Sequence, residues 1–128
     1  MKLVIAGSRG IADALHWIER GMKEFYKFVP DQIISGGGGN VDNAAQVYAE
    51  AHGIPFELVV AEWNLYGRAA GPIRNKAMGE LGTQLLVVWD GKSRGSMNMI
   101  KIMNKQRKRV CLVKVSPTGV EFIPDFVL

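Results

Sequence analysis

Four short stretches hold the residue types that recognise phosphate and ribose: backbone-exposing glycines, hydroxyls, and arginines with fork-shaped donors. They are Gly7-Ser8-Arg9-Gly10; Ser35-Gly36-Gly37-Gly38-Gly39-Asn40; a segment from Ala61-Glu62-Trp63 to Gly71-Pro72-Ile73-Arg74-Asn75; and Asp90-Gly91-Lys92-Ser93-Arg94-Gly95-Ser96. In the second, one or two glycines would serve a turn. Four in a row carry an entropic cost, which points to backbone N–H groups left open to an anion. Arg9, Arg74 and Arg94 stand at or before the starts of helices, where a cation opposes the helix dipole unless an anion lies between them. The chemistry expected is therefore phosphate binding.

Within these stretches each candidate has a plainer role beside the ligand one. Ser8, Ser35, Ser93 and Ser96 suit phosphate or ribose oxygens, yet serine before a helix is also a good cap, the preferred reading for Ser96; Asp42 likewise caps a helix or meets a sugar hydroxyl. Glu62 stands where an acid could bind a ribose diol. Trp63, Tyr66 and Trp89 could stack on a base or pack as core or lid. No Gly-x4-Gly-Lys-Ser/Thr occurs, which speaks against a P-loop NTPase, and the glycine-rich turn follows the second strand where a dinucleotide fingerprint would follow the first. His16 and His52 fall inside helices without metal-ligand spacing, and Met97, Met99, Ile100 and Met103 read as helix packing. Cys111 reads as a core strand residue, and no disulfide is possible with one cysteine.

These turns need a scaffold that gathers them, and the hydrophobic pattern supplies one. Short β-branched runs at residues 2–6, 32–35, 56–60, 84–89 and 109–115 alternate with amphipathic segments at 11–27, 41–52, 72–81 and 96–106. Such alternation predicts an α/β fold, Rossmann-like and doubly wound: a mostly parallel sheet of five to six strands with helices on both faces. The sixth strand would be an edge strand at 120–127. Ligands of such sheets bind at the carboxyl ends of the strands, where all four turns fall.

At 128 residues the chain is read as one domain spanning 1–128, with 48% hydrophobic and 22% charged residues typical of a globular protein. No apolar run approaches the length of a membrane span or a signal peptide, so the expectation is a cytoplasmic protein without a membrane partner. The net charge of +4 is uneven: residues 1–64 carry 5 Lys/Arg and 8 Asp/Glu, a balance of −3, and residues 65–128 carry 11 and 4, a balance of +7. That bias suits a polyanionic partner. The basic run at 105–109 is the best candidate for a nucleic-acid patch, against the plainer reading of a solvated helix end.

Taken together, Ile5-Ala6-Gly7-Ser8-Arg9, Ile34-Ser35-Gly36-Gly37-Gly38-Gly39-Asn40-Val41-Asp42, the stretch from Trp63 to Met78 with Gly71-Pro72-Ile73-Arg74-Asn75, and Trp89-Asp90-Gly91-Lys92-Ser93-Arg94-Gly95-Ser96 resemble the small stand-alone YspA-like branch of the SLOG superfamily. That superfamily takes its name from the DNA-processing Smf proteins and the LOG phosphoribohydrolases. The resemblance covers nearly the whole chain. It implies a Rossmann-like fold binding a nucleotide or ADP-ribose-like ligand through Gly7, Ser8, Arg9, Ser35, Gly36, Gly37, Gly38, Gly39, Asp42, Trp63, Arg74, Asn75, Asp90, Ser93, Arg94, Gly95 and Ser96. The LOG enzymes pair an Arg in Arg-x-x-x-Met with a Glu in Pro-Gly-Gly-x-Gly-Thr-x-x-Glu. Arg74 to Met78 matches the first, and no acid matches the second, so a hydrolase would have to use Arg74 with Glu62 or Asp90.

The expectation is therefore a protein that senses or sequesters a nucleotide signal, with no metal and no cofactor. A phosphoribohydrolase acting on nucleoside 5′-monophosphates is the first alternative and a single-stranded DNA-binding protein the second. A homodimer or higher homo-oligomer is expected through helix faces of the second half.

Overall fold

Along each strand alternate side chains go to opposite faces of the sheet, and the two apolar sets meet different helices. A computed structural model describes all residues 1–128. Its strands are β1 (Lys2–Gly7), β2 (Gln32–Ser35), β3 (Phe56–Leu58), β4 (Gln84–Trp89), β5 (Arg109–Ser116) and β6 (Gly119–Ile123). Its α-helices are α1 (Ala14–Phe25), α2 (Asn40–Ala51), α3 (Trp63–Tyr66), α4 (Ala70–Leu81) and α5 (Arg94–Lys105). Leu3, Ile5, Leu86, Val88, Cys111 and Val113 pack on α1 and α2 through Ile18, Met22, Val41 and Ala45. Val4, Ala6, Leu85, Val87, Val110 and Leu112 pack on α4 and α5 through Met78, Met99, Ile100 and Met103. The doubly wound α/β reading holds, and Cys111 is fully buried in the core.

Strand order is β3-β2-β1-β4-β5-β6, parallel except for β6, which runs antiparallel to β5. From β1 the chain winds outward through β2 and β3, then returns to the other side of β1 to lay down β4 and β5. The order therefore reverses between β1 and β4, and a crevice opens beyond their carboxyl ends. The turns after these two strands become neighbours: Ser8 donates its backbone N–H to the Val88 carbonyl at 3.0 Å.

Several boundaries differ from the sequence reading, each for a local reason. The first helix starts at Ala14, not at residue 11, because Asp13 adopts a left-handed conformation (φ 55°) while Ile11 turns into the core. The third strand ends at Leu58 rather than 60; as the sheet edge, it has only β2 to pair with. Residues 63–69 form α3 and a 3-10 turn, and α4 begins at Ala70, so Pro72 is its third residue and does not open it. Proline is harmless there because the first-turn N–H groups have no intrahelical partner. Helix α5 begins at Arg94, not at Ser96. Asp90 Oδ1 accepts the N–H groups of Lys92 and Ser93, both at 2.8 Å, and tightens the turn enough to start the helix early. The last strand stops at Ile123, not 127: Pro124 has no N–H to continue the ladder, and Phe126 instead donates to the Val110 carbonyl at 2.8 Å.

Candidate functional site

The crevice beyond β1 and β4 is a cavity of about 680 Å³. Its walls include Gly7, Ser8, Arg9, Gly38, Asp42, Trp63, Arg74, Asn75, Asp90, Ser93, Arg94, Gly95 and Ser96, so most residues singled out from the sequence come together. Ser35, Gly36, Gly37, Gly39 and Glu62 do not line it. Tyr66 is also off the wall, and Trp89 is buried with its indole N–H on the Ser93 carbonyl at 3.0 Å, which secures the start of α5.

Four arginines, Arg9, Arg68, Arg74 and Arg94, share this cavity with two aspartates, Asp42 and Asp90. None of the four is ion-paired: the ion pairs of the protein join the N-terminus to Asp31 and Arg109 to Asp125. Arg74 is the most constrained. Its Nη1 donates to the Gly36 carbonyl at 2.7 Å and its Nε to Asn75 Oδ1 at 3.0 Å, which leaves Nη2 for the cavity. Burial lowers its pKa, Arg9 lowers it further, and the Asp42 charge opposes both. The Nη2 atoms of Arg9 and Arg74 lie 3.7 and 3.9 Å from where a Cβ on Gly38 would sit, so two guanidinium groups converge on one point of the wall. Like charges converge in this way where an anion offsets their repulsion, and Asp42 Oδ2, 3.5 Å from the same point, supplies part of that offset within the protein.

The glycine run makes room for these arginines. A Cβ on Gly36 would occupy the space of the Arg74 guanidinium, and one on Gly39 (φ 128°) would stand 2.7 Å from the Arg9 Cα. The Gly38 N–H, the one part of the run at the cavity, already donates to Asp42 Oδ2 at 2.7 Å. Asp42 is therefore an internal anion for the loop. Ser35 is likewise spoken for, its hydroxyl donating to the Ile5 carbonyl at 2.7 Å with no exposed surface. Two arginines thus lie against the glycine run, and the N–H groups of Gly36, Gly37 and Gly39 have no protein acceptor.

Another open set of backbone donors lies at α5. Ser93, at its N-cap, makes no side-chain capping bond, and the first helical bond is from Met97 N–H to the Ser93 carbonyl. The N–H groups of Arg94, Gly95 and Ser96 have no protein acceptor. Around Gly95 there is open space. Asn75, almost fully buried, holds this end of α5 against α4: Nδ2 donates to the Gly95 carbonyl at 3.3 Å and to Asn98 Oδ1 at 2.9 Å. One asparagine thus fixes both the Arg74 fork and the helix terminus.

The acids are not free for proton transfer. For Asp90, partial burial raises the carboxyl pKa, but the N–H groups of Ser93 and Lys92 outweigh it and hold the group below the usual carboxylate range. Ser8 closes the same turn, its Oγ accepting the Asp90 N–H at 3.0 Å. For Asp42, burial pushes the pKa up against the opposing Gly38 N–H and Arg74 charge. Folded protein thus holds this proton more tightly than unfolded chain does. Its contribution to stability is present at acid pH and is lost as pH rises through the raised value. Asp42→Asn keeps an acceptor for Gly38 and removes the titration, so the variant should gain stability relative to the natural chain as pH rises from about 3 to about 7. Urea unfolding of both proteins at the two pH values measures it.

Sequence reasoning missed Ala6, Gly10, Arg68, Gly71, Pro72, Met78, Asn98 and Met99 as wall residues. Asn98 was within reach, since it follows Gly95 by three on a helix and shares its face. Arg68 had no such signal, because the non-periodic segment before α4 gives no face to assign. Met78, Met99 and Ala6 form an apolar wall, with Trp63 half-exposed at the mouth and packed on Gly71.

The fold is similar to that of DNA processing protein A (DprA) from Streptococcus pneumoniae, with a TM-score of 0.69 and 19% sequence identity over 91% of this chain and 51% of that one. At that identity the likeness establishes the α/β fold. The chain spans about half the length of the DprA chain it matches. No family model matches this chain, and no curated protein matches it.

Proposed function

We propose that this cleft binds a small nucleotide or ADP-ribose-derived ligand, and that the protein senses or sequesters it without cleaving it. The observation that supports the reading is that Arg9, Arg68, Arg74 and Arg94, free of ion pairs, line one cavity together with the open N-terminus of α5. Phosphate oxygens take the α5 N–H groups and the Arg74 and Arg94 forks; a base lies on the wall of Met78 and Met99, under Trp63. The volume of about 680 Å³ falls inside the range of small-molecule sites. Binding is favoured over N-glycosidic hydrolysis because the two acids considered for catalysis, Glu62 and Asp90, and the other acid of the cleft, Asp42, are each otherwise placed. Glu62 stands outside the cleft, Asp90 closes a turn, and Asp42 holds Gly38.

Calorimetric titration with AMP, ADP-ribose, cyclic ADP-ribose isomers and NAD tests the reading. Saturable heat with at least one of them, and intact ligand recovered after long incubation, is the expected result. Absence of binding to all of them at millimolar concentration overturns it; release of free base supports the hydrolase instead. Trp63 is half-exposed in the free protein, so ligand should change the tryptophan emission, and Trp63→Phe should remove that change while Trp89 remains buried.

A further inference from the structure

Between Gly91 and Val120 the chain has eight Lys or Arg and no Asp or Glu. The fold gives three of these cations local work. Lys108 Nζ donates to the Gly79 and Gly82 carbonyls at 2.6 and 2.8 Å, Arg109 pairs with Asp125 at 2.9 Å, and Lys114 lies over Gly91, its Cε 3.2 Å from where a Cβ would stand. The other five, Lys92, Arg94, Lys101, Lys105 and Arg107, are all exposed and make no ion pair.

Their arrangement is set by α5. Arg94, Lys101 and Lys105 are spaced seven and four residues apart, which keeps them on one stripe of the helix over about 16 Å. Ser96, Met99, Ile100 and Met103 take the opposite side into the core. Lys92 extends the stripe toward the cleft mouth and Arg107 extends it beyond the other end. Stabilisation of the helix dipole accounts for Lys105 in the last turn. It does not account for Lys101 in mid-helix, or for Lys92 and Arg94 at the positive end, where they oppose the dipole.

The surroundings narrow the partner. The helix itself and the chain on to residue 126 expose no large apolar side chain; Val127 and Leu128 are exposed only at the Arg107 end, where the Leu128 N–H meets Asn104 Oδ1 at 3.0 Å. A membrane surface is gripped by an apolar helix face beneath the charges, and a protein interface is anchored by buried aromatic or aliphatic groups. A nucleic-acid backbone requires neither, being held through phosphate neutralisation. We infer that the outer face of α5 is a docking track for a nucleic-acid backbone, running from the lip of the cleft to Arg107. This track is separate from the ligand cleft except at Arg94, and it does not depend on what the cleft holds.

The test is fluorescence anisotropy with labelled single-stranded DNA, single-stranded RNA and duplex DNA across a salt series. Neutralising about five phosphates should weaken binding about a hundredfold for single strands and about five hundredfold for a duplex between about 50 and 200 mM salt. Lys101→Gln/Lys105→Gln/Arg107→Gln, all outside the cleft, should reduce the log–log salt slope by about 2 or more and leave nucleotide titration calorimetry unchanged. Lys23→Gln/Lys27→Gln, near the end of α1, should leave the slope as it is. The three nucleic acids, compared side by side, identify which backbone the track prefers. Failure of every oligonucleotide to bind overturns the inference, as does a slope that the triple substitution leaves unchanged. Binding of the triple-sensitive face to phosphatidylserine vesicles in place of oligonucleotides also overturns it. The cleft reading fails separately, by the absence of nucleotide heat in the natural chain.

Discussion

Arg74→Ala is expected to weaken nucleotide binding by about 2–4 kcal/mol, roughly 30- to 1000-fold in Kd. The side chain is already oriented before ligand arrives, with Nη1 on the Gly36 carbonyl and Nε on Asn75 Oδ1, so little rotamer entropy remains to be lost on binding. Arg74→Lys should recover only part of the loss, because a single ammonium nitrogen cannot stand in the separate places of Nε, Nη1 and Nη2. Gly36→Ala offers a second route to the same effect. Its methyl would displace the far end of a flexible side chain and not backbone, so affinity should fall while the fold survives. Calorimetry against AMP and ADP-ribose reads the affinities, and thermal melting confirms that all three variants are folded. Unchanged affinity in Arg74→Ala would remove the phosphate site from this helix.

Gly7→Ala should do the opposite, damaging the fold first. A Cβ on Gly7 would run into the Val88 carbonyl oxygen of the neighbouring strand and stand 2.7 Å from Val41 Cγ2. Neither can yield: Val88 belongs to a central strand and Val41 is fully buried at the start of α2. Overpacking between two fixed elements costs about 3 kcal/mol, which lowers Tm by about 10 °C in a chain of this size. Scanning calorimetry of the variant measures it. A loss of less than about 1 kcal/mol would mean that β1 and β4 can separate at their carboxyl ends more easily than this packing allows.

Gly7 and Gly36 are both glycines in a strand-to-helix turn, and nothing in the local sequence separates their roles. What separates them is the neighbour that a methyl would meet: rigid backbone from β4 in one case, the tip of an arginine 38 residues away in the other. The glycine run shows the same limit. Its composition announced close approach of something to backbone, which was right, but the approaching group is Arg74 and Arg9 of the same chain.

By itself the sequence determined the alternation of strands and helices, the burial of Cys111, and the placing of the arginines and hydroxyls in strand-to-helix turns. Those features follow from periodicities of two and 3.6 residues and from local turn chemistry, which reach only a few positions along the chain. Only the tertiary structure decided that β4 lies beside β1, and therefore that Ser8 and Asp90 share one turn system and that Asn75 reaches Asn98. It also decided that Glu62 stays outside the cleft and Arg68 enters it. Contacts of this kind join residues 20 to 80 positions apart through the order of the strands, which is selected by the packing of both faces of the sheet at once and leaves no mark in any short stretch of sequence.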